Sequence, residues 1–319
     1  MWIGGIVCQV WDVQNHHTTS DMTCNLHGNK YFGTRNFRKA IAMAKADERH
    51  EWRVDDSCIG CGASVSVAPE LIVWSGERVR FARQPSSAAE EDDAWRAALV
   101  CPTGSIKRYG GGSPPKPYFP EEIAQGVFRC GFNARASYGA HSYFVQRSEG
   151  NQLIDSPRYI RRLENFFEEH GGIAAVLLTH RDDVCDADKY AARFASGTWI
   201  HEADRSAAPF ASDIITGDSP RTILPGVKAI PIPGHTAGSV AYLVADRFLF
   251  TGDSLNWDFE TSTLSAFKDY CWYSWEHQKR SLERLLQFHF EYVLAGHGGS
   301  ISLPADEMRN ALRSLLLRL

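Results

Sequence analysis

The sequence predicts an α+β protein made of two unequal parts, a small cysteine-bearing module and a larger domain built on β-sheets. Three observations support this division. Cys58 and Cys61 are closely spaced, and Cys101 and Pro102 follow them further along the chain. Residues 110–117 read Gly-Gly-Gly-Ser-Pro-Pro-Lys-Pro, which is typical of a linker, because glycine loses much entropy in regular structure and proline extends the chain. Beyond it, strand-like apolar runs alternate with amphipathic segments.

These signals set the expected organisation of the chain. We predict four segments, namely a leader at 1–51, a module at 52–108, a linker at 109–133 and a large domain at 134–319. In the large domain, two strands within 141–154 are joined by a turn at Glu149-Gly150-Asn151. The further expected elements are a helix at 158–170, strands at 173–179, 227–232, 239–244 and 248–251, and a helix at 275–288.

Composition and charge exclude some classes of function. The chain has 319 residues, of which 44% are hydrophobic, and a formal net charge of −4. A mildly acidic chain gives no electrostatic reason to bind nucleic acid or an anionic membrane surface. No apolar run reaches the roughly 18 residues that a spanning helix needs. We therefore expect no nucleic-acid partner and no membrane insertion.

The leader, residues 1–51, is poor in acidic residues. Up to Lys45 its only acids are Asp12 and Asp21, against five lysines and arginines. This bias is compatible with a transit peptide to the chloroplast or another plastid. The alternative is an ordinary leader on a cytoplasmic protein, and the sequence leaves both open.

The cysteine pattern indicates a cluster site. Only two of the eight cysteines are closely spaced, so a disulfide scaffold is not expected in a chain of this length. The run Cys58-Ile-Gly-Cys61-Gly-Ala-Ser64, with Cys101 before a proline, resembles the bacterial-type ferredoxins that hold one [4Fe–4S] cluster. The resemblance implies a βαββαβ module with Cys58, Cys61 and Cys101 as cluster ligands.

Ser64 departs from this pattern, because it stands where a ferredoxin has its third cysteine. A serine oxygen is a harder and far less acidic ligand than a thiolate, and it holds iron weakly. Three outcomes remain open: a cluster with one serine ligand, a three-iron cluster, or no cluster.

The large domain carries a second set of motifs. Asp155 ends an early strand, and His180, His235, Asp253 and His297 follow in the segments LLTH, PGHTAGS, FTGDS and LAGHG. Imidazoles and carboxylates at strand ends can converge on divalent ions and activate a water. Over residues 134–319 this order resembles the metallo-β-lactamase superfamily. The resemblance implies an αββα sandwich, metal ligation by His180, His235, Asp253 and His297, and a bridging, catalytic role for Asp253.

The main histidine motif of that superfamily is altered in this chain. Where the superfamily reads His-x-His-x-Asp-His, the sequence runs from His180 through Asp182, Asp183 and Cys185 to Asp186. Aligned without a gap, Asp182 replaces the second histidine as a ligand and catalytic group; with a two-residue shift, Asp186 becomes the ligand. The other interpretation is that all three aspartates cap the following helix. An oxygen-rich ligand set shifts the expected metal from zinc towards iron or manganese.

The fusion of both parts resembles a ferredoxin-fused metallo-β-lactamase-fold family of cyanobacteria and plastids. The aromatic segment from Asp269 to Trp275 either lines a pocket or covers core. The resemblance implies a metal-dependent hydrolase of a small-molecule substrate, carrying an iron–sulfur module. Two alternatives are an iron-dependent oxidoreductase fed by the module and a redox partner, and a non-catalytic binding or assembly protein.

Overall fold

The computed structural model describes residues 52–319. The leader and the targeting role predicted for it lie outside the described residues. None of the helices in the described part of the chain combines the length and the apolar character that crossing a bilayer requires.

The first part of the chain is a βαββαβ module, as predicted. Its outer strands pair with each other antiparallel, and its two inner strands form a separate hairpin. Trp52 is buried and packs edge-on against Trp95, with ring centroids 4.8 Å apart. The elements are β1 (Trp52–Val54), α1 (Ala63–Val67), β2 (Ile72–Ser75), β3 (Arg78–Phe81), α2 (Ala88–Val100) and β4 (Ile106–Arg108).

A seven-stranded sheet follows the module. Its strands are β5 (Glu121–Ala124), β6 (Val127–Arg129), β7 (Tyr143–Val145), β8 (Gln152–Ile154), β9 (Ala175–Leu177), β10 (Gly197–His201) and β11 (Asp213–Ile215). Their order in the sheet is β11-β10-β9-β8-β7-β6-β5, with antiparallel pairing from β5 to β8 and parallel pairing from β8 to β11. Two helices accompany the sheet, α3 (Arg161–Glu169) and α4 (Ala187–Phe194).

A six-stranded sheet forms the second half of the large domain. Its strands are β12 (Arg221–Leu224), β13 (Val227–Pro231), β14 (Val240–Val244), β15 (Phe248–Gly252), β18 (Tyr292–Ala295) and β19 (Ile301–Ser302), and they lie in this order across the sheet. Its helices are α5 (Trp275–Arg284) and α6 (Ala305–Leu316), and a small hairpin joins β16 (Asn256–Asp258) to β17 (Thr263–Ser265).

The two sheets pack face to face between the helices. Alternation along β14 shows the layering, because successive side chains of a strand point to opposite faces. Val240, Tyr242 and Val244 join the core between the sheets. Ala241 and Leu243 instead join the core beneath α5 and α6. Since α3 and α4 cover the other sheet in the same way, the architecture is the αββα sandwich that the sequence predicts.

The predicted linker, 109–133, is shorter than expected. Strands β5 and β6 lie within it and form the outermost hairpin of the seven-stranded sheet. The edge strand β5 reads Glu-Glu-Ile-Ala and has an irregular register between Glu122 and Ala124. Glu121 is ion-paired with Arg96 of α2 (3.1 Å) and with Arg129 (3.6 Å). The hairpin was missed because so short and charged a strand shows no alternation of apolar residues.

The module and the sandwich share one hydrophobic core. Trp52, Leu71 and Ile72 of the module belong to the same buried cluster as Phe144 and Phe167 of the large domain. The core therefore runs through the module, across the intervening segment and under the seven-stranded sheet.

Candidate metal centre

Four of the predicted ligands come together at one edge of the sandwich. His180 lies three residues after β9, Asp253 directly follows β15, and His297 lies two residues after β18. Strands β15 and β18 are parallel, so their carboxyl ends meet at the same edge. His235 reaches this edge from the loop between β13 and β14.

The first group of side chains consists of His180, His235 and Asp253. Nε2 of His180 lies 3.7 Å from Oδ2 of Asp253, and Nε2 of His235 lies 3.6 Å from the same oxygen. The two imidazole rings are nearly perpendicular, with centroids 4.8 Å apart. Two histidines and one carboxylate within ligand distance of one point are a donor set that suits divalent iron as well as zinc.

A second group shares Asp253 with the first. It consists of Asp183, Asp253 and His297, whose ligand atoms lie within 4.8 Å of one another. Nδ1 of His297 is 2.9 Å from each oxygen of Asp253. Asp253 is therefore placed between two sets of donors, where one carboxylate can bridge two ions.

Of the three aspartates in the altered motif, the structure brings Asp182 and Asp183 to the centre. Oδ2 of Asp182 lies 3.3 Å from Nε2 of His235, and its side chain is 43% exposed at the mouth of the site. Asp186 belongs to neither group. Its carboxylate accepts hydrogen bonds from the backbone N–H of Tyr159 (2.8 Å) and from Lys189 (2.5 Å).

Asp183 lies in the second group, although sequence reasoning did not identify it as a candidate ligand. It ends a single 3-10 turn (Arg181–Asp183), and its side chain is only 1% exposed. Shifting the altered motif by one residue, rather than by none or by two, places Asp183 at the position of the second histidine. Neither Asp182 nor Asp186 makes a capping hydrogen bond to a helix, since the 3-10 turn and α4 both begin without a side-chain cap.

Residues behind His180 fix its orientation. Thr179 donates its hydroxyl proton to Oδ2 of Asp155 (2.8 Å), and the threonine hydroxyl oxygen lies 2.9 Å from Nδ1 of His180. This arrangement places the imidazole proton on Nδ1, because the threonine oxygen is then an acceptor. Nε2 is left with a free lone pair that faces Asp253, as a metal ligand requires.

Several atoms of the centre that could bind a metal have no hydrogen-bond partner among the described residues. They are Nε2 of His180, Nε2 of His235 and both carboxylate oxygens of Asp183. Burial raises the pKa of Asp183 well above its usual range, and the nearby carboxylates of Asp253 and Asp155 raise it further. Burial also lowers the pKa of His180 to about 4. Buried polar atoms without hydrogen-bond partners destabilise a protein, and divalent cations bound by the two groups would satisfy them. The residues therefore fit a metal ion.

Asp253 and His297 form the charged part of the centre. Burial by itself would raise the pKa of Asp253, but His297, His180 and His235 outweigh it and hold that pKa below its usual range. His297 is also oriented from behind, because its Nε2 lies 3.3 Å from the backbone oxygen of Tyr138. Metal-binding histidines commonly give their second N–H to a backbone carbonyl in this way.

The cysteines of the module form the second candidate site. Burial raises the pKa of Cys61 to about 11, and the nearby thiols of Cys101 and Cys58 contribute to the increase. Burial alone would raise the pKa of Cys101 too, but hydrogen bonds involving Ser105 and Thr103 keep it below its ordinary value. Ser64 lies in α1, just beyond the Cys61 loop, and is almost fully buried.

The aromatic segment 269–275 does not cover core. Tyr270, Trp272 and Tyr273 are all more than half exposed. The backbone N–H of Trp272 donates to the carbonyl of His235 (2.9 Å), and the indole lies 6.2 Å from the His235 ring, measured between centroids. The segment thus lies beside His235 at the mouth of the centre and is exposed to solvent.

Comparison with known proteins bears on both parts. Residues 54–108 match a family model described as the 4Fe-4S single cluster domain of Ferredoxin I. This match covers the module and contains Cys58, Cys61, Ser64 and Cys101. No curated protein matched the chain.

Several solved structures are similar to the chain. The DIM-1 metallo-β-lactamase exposed to ceftazidime is 16% identical over 62% of this chain and 95% of its own, with a TM-score of 0.48. The protein TTHA1623, in a di-iron-bound form, is 23% identical over 51% and 89%, with a TM-score of 0.42. An archaeal metallo-β-lactamase superfamily protein from Sulfolobus tokodaii is 17% identical over 56% and 79%, with a TM-score of 0.39. Over residues 54–108, the chain is thus similar to the single-cluster domain of Ferredoxin I.

Proposed function

We propose that the protein is a metal-dependent hydrolase of a small-molecule substrate, with an iron–sulfur module attached to it. The observation that carries the proposal is a set of buried atoms on His180, His235 and Asp183 that have no hydrogen-bond partner within residues 52–319 and lie around the carboxylate of Asp253. Protein interiors rarely leave such groups unpaired unless a bound ion or water completes them.

The proposed ligands are His180, His235, Asp182 and Asp253 for one ion, and Asp183, Asp253 and His297 for a second. A divalent zinc, iron or manganese ion supplies Lewis acidity and lowers the pKa of a coordinated water towards neutrality. His180 and His297 are held in orientation by Thr179 and by the Tyr138 carbonyl. The chain therefore presents a preorganised set of donors.

Asp182 is the proposed proton acceptor at the mouth. His235, whose Nε2 lies 3.3 Å from Oδ2 of Asp182, and the nearby His180 hold the pKa of Asp182 below its usual range, so it stays a carboxylate at neutral pH. Because it is half-exposed, it can reach both a water and solvent. General-base catalysis requires a positioned carboxylate of this kind within hydrogen-bond distance of the reacting water.

A second candidate function is an iron-dependent oxidoreductase that receives electrons through the module from a redox partner. The favouring observation is proximity: a Cβ added to Gly139, the residue after the carbonyl that orients His297, would lie 2.7 Å from Sγ of Cys61. The match of the module to a single-cluster ferredoxin domain supports the same idea.

The test is metal and sulfide analysis of protein purified without oxygen, combined with hydrolysis of chromogenic ester, phosphodiester and β-lactam probes. We expect a divalent metal that His235→Ala removes, because the first ion then loses one of its few ligands. His289→Ala is the matched control, since His289 is exposed and lies outside both groups. A parent protein that takes up no metal at the centre would contradict the proposal and favour a binding or assembly role.

A further inference from the structure

One short segment touches both candidate sites. It comprises Tyr138, Gly139, Ala140 and His141, and we call it the 138–141 segment. On the module side, a Cβ added to Gly139 would lie 2.7 Å from Sγ of Cys61 and 3.1 Å from Cγ of Pro102. The glycine backbone is therefore packed directly against the cysteine site.

Two further bonds attach the segment to the module. The hydroxyl of Tyr138 donates to the backbone carbonyl of Ile59, which lies in the loop between Cys58 and Cys61. Nε2 of His141 lies 2.6 Å from the hydroxyl oxygen of Ser66 in α1. Both partners belong to the part of the module that would surround a cluster.

The other side of the segment meets the metal centre. The backbone oxygen of Tyr138 lies 3.3 Å from Nε2 of His297. The backbone N–H of His141 donates to the carbonyl of Gly296, the residue before His297 (2.8 Å). One tyrosine thus bonds the cysteine loop through its side chain and the histidine ligand through its backbone.

The backbone conformation of the segment is unusual, and hydrogen bonds hold it in place. Tyr138 has φ = 48°, a left-handed conformation that is strained for a bulky residue and tends to occur at functional sites. Hydrogen bonds hold the next residue, because the N–H of Gly139 donates to Ala134 (2.8 Å) and its carbonyl accepts from Asn133 (2.7 Å). A displacement of the cysteine loop would therefore move the segment as a unit and displace His297 as well.

We propose that the 138–141 segment couples the two sites, with Tyr138 as the positioning residue, so that a cluster in the module raises the affinity of the centre for a divalent ion. This inference rests on the proposed function, because it takes both sites to bind metal. Residues that orient a ligating histidine typically change metal affinity about 10–100-fold when they are altered. Coupling between two binding sites is also reciprocal, so Zn²⁺ at the centre must raise the affinity of the module for its cluster by the same factor.

The first experiment measures the dissociation constant of Zn²⁺ by calorimetry, on the whole protein with and without its cluster. We expect Zn²⁺ to bind about 5–150-fold more weakly to the cluster-free protein, which is the usual range for coupled sites. Equal affinities in two folded samples would overturn the proposal. If the cluster-free protein is unfolded, the variants below decide the question in cluster-loaded protein.

The second experiment substitutes residues that are not themselves proposed Zn²⁺ ligands. Gly139→Ala inserts a methyl group against Cys61, and Tyr138→Phe removes the bond to Ile59. We expect about 10–100-fold weaker Zn²⁺ binding in Gly139→Ala, and a smaller loss in Tyr138→Phe. The controls are Gly76→Ala and Tyr109→Phe. Gly76 also has a positive φ, 62° against 90° at Gly139, but no described residue lies within 4 Å of the added carbon. Tyr109 is an exposed tyrosine directly after β4.

A third readout separates coupling from general damage. The midpoint potential of the cluster is titrated with dithionite, with and without the redox-inert Zn²⁺. We expect Zn²⁺ to change this potential less in Tyr138→Phe than in the wild type or in Tyr109→Phe. Variants that bind Zn²⁺ and respond to it as the wild type does would overturn the coupling and leave the metal centre standing. A wild-type protein that binds no Zn²⁺ would remove the proposed function as well, and one that never takes up a cluster would remove the coupling.

Discussion

Asp183 is the residue on which the chemistry of the centre depends most clearly. Its carboxylate is buried without a partner among the described residues, next to the carboxylates of Asp253 and Asp155. Such a group destabilises a metal-free protein and stabilises a metal-bound one. Asp186, three residues further along the chain, instead accepts hydrogen bonds from the backbone N–H of Tyr159 and from Lys189.

The two aspartates therefore give opposite predictions. Asp183→Asn should raise the melting temperature of metal-free protein and abolish much of the further increase that metal produces, because binding to the folded state alone is what stabilises it. Asp186→Asn should leave metal content unchanged and cost only about 0.2–1 kcal/mol, as expected for a partly exposed ion pair. Thermal melts and metal analysis of both variants check this. A metal-free Asp183→Asn protein less stable than the wild type would count against a ligand role.

Trp272 reports on occupancy of the centre. Its indole is 6.2 Å from the His235 ring, and paramagnetic ions quench indole fluorescence strongly at short range. We expect Co²⁺ to quench the wild type and to quench Trp272→Phe much less. Trp74→Phe is the matched control, because Trp74 is similarly exposed but lies in the module. Equal residual quenching in the two variants would place the Co²⁺ elsewhere.

At the scale of elements, α1 decides whether the module can hold a cluster. Ser64 lies in this helix at the position of the missing third cysteine, and it is almost fully buried. Ser64→Cys should raise iron and sulfide per chain and slow cluster loss in air, because a thiolate binds iron more strongly than a serine oxygen. Ser57→Cys adds a thiol at an exposed position in the loop before α1, and it should have no such effect. Unchanged iron content in Ser64→Cys would show that the cluster does not depend on this position.

The elements also show how far sequence reasoning reaches. Strands such as β13, β14 and β15 were predicted within one or two residues, since their apolar runs specify them locally. Asp183 was missed because the geometry of a single 3-10 turn leaves no periodicity to read. Strand β5 was missed because its two glutamates look like loop. The contact of Gly139 with Cys61 has no local signal at all, since it joins residues far apart in sequence.

At the scale of the whole molecule, the shared core makes the module part of the sandwich. Trp52 and Ile72 are buried in the same cluster as Phe144 and Phe167, so neither part can lose its packing alone. We expect calorimetry to show one cooperative unfolding transition for residues 52–319, and removal of iron from the module to lower that single melting temperature. Two separated transitions, with only the first sensitive to iron, would contradict this expectation.

The edge of the seven-stranded sheet has a consequence for how copies of the protein behave together. An exposed edge strand is a template on which another chain can add its own strand. Here β5 has only four residues, carries two glutamates and has an irregular register, and Glu121 is tied to Arg96 of the module. Shortness, charge and irregularity are the features that oppose edge-to-edge pairing. The module thus helps to oppose polymerisation of the sandwich: loss of the Arg96 contact would leave Glu121 paired with Arg129 and loosen the edge strand that keeps neighbouring molecules apart.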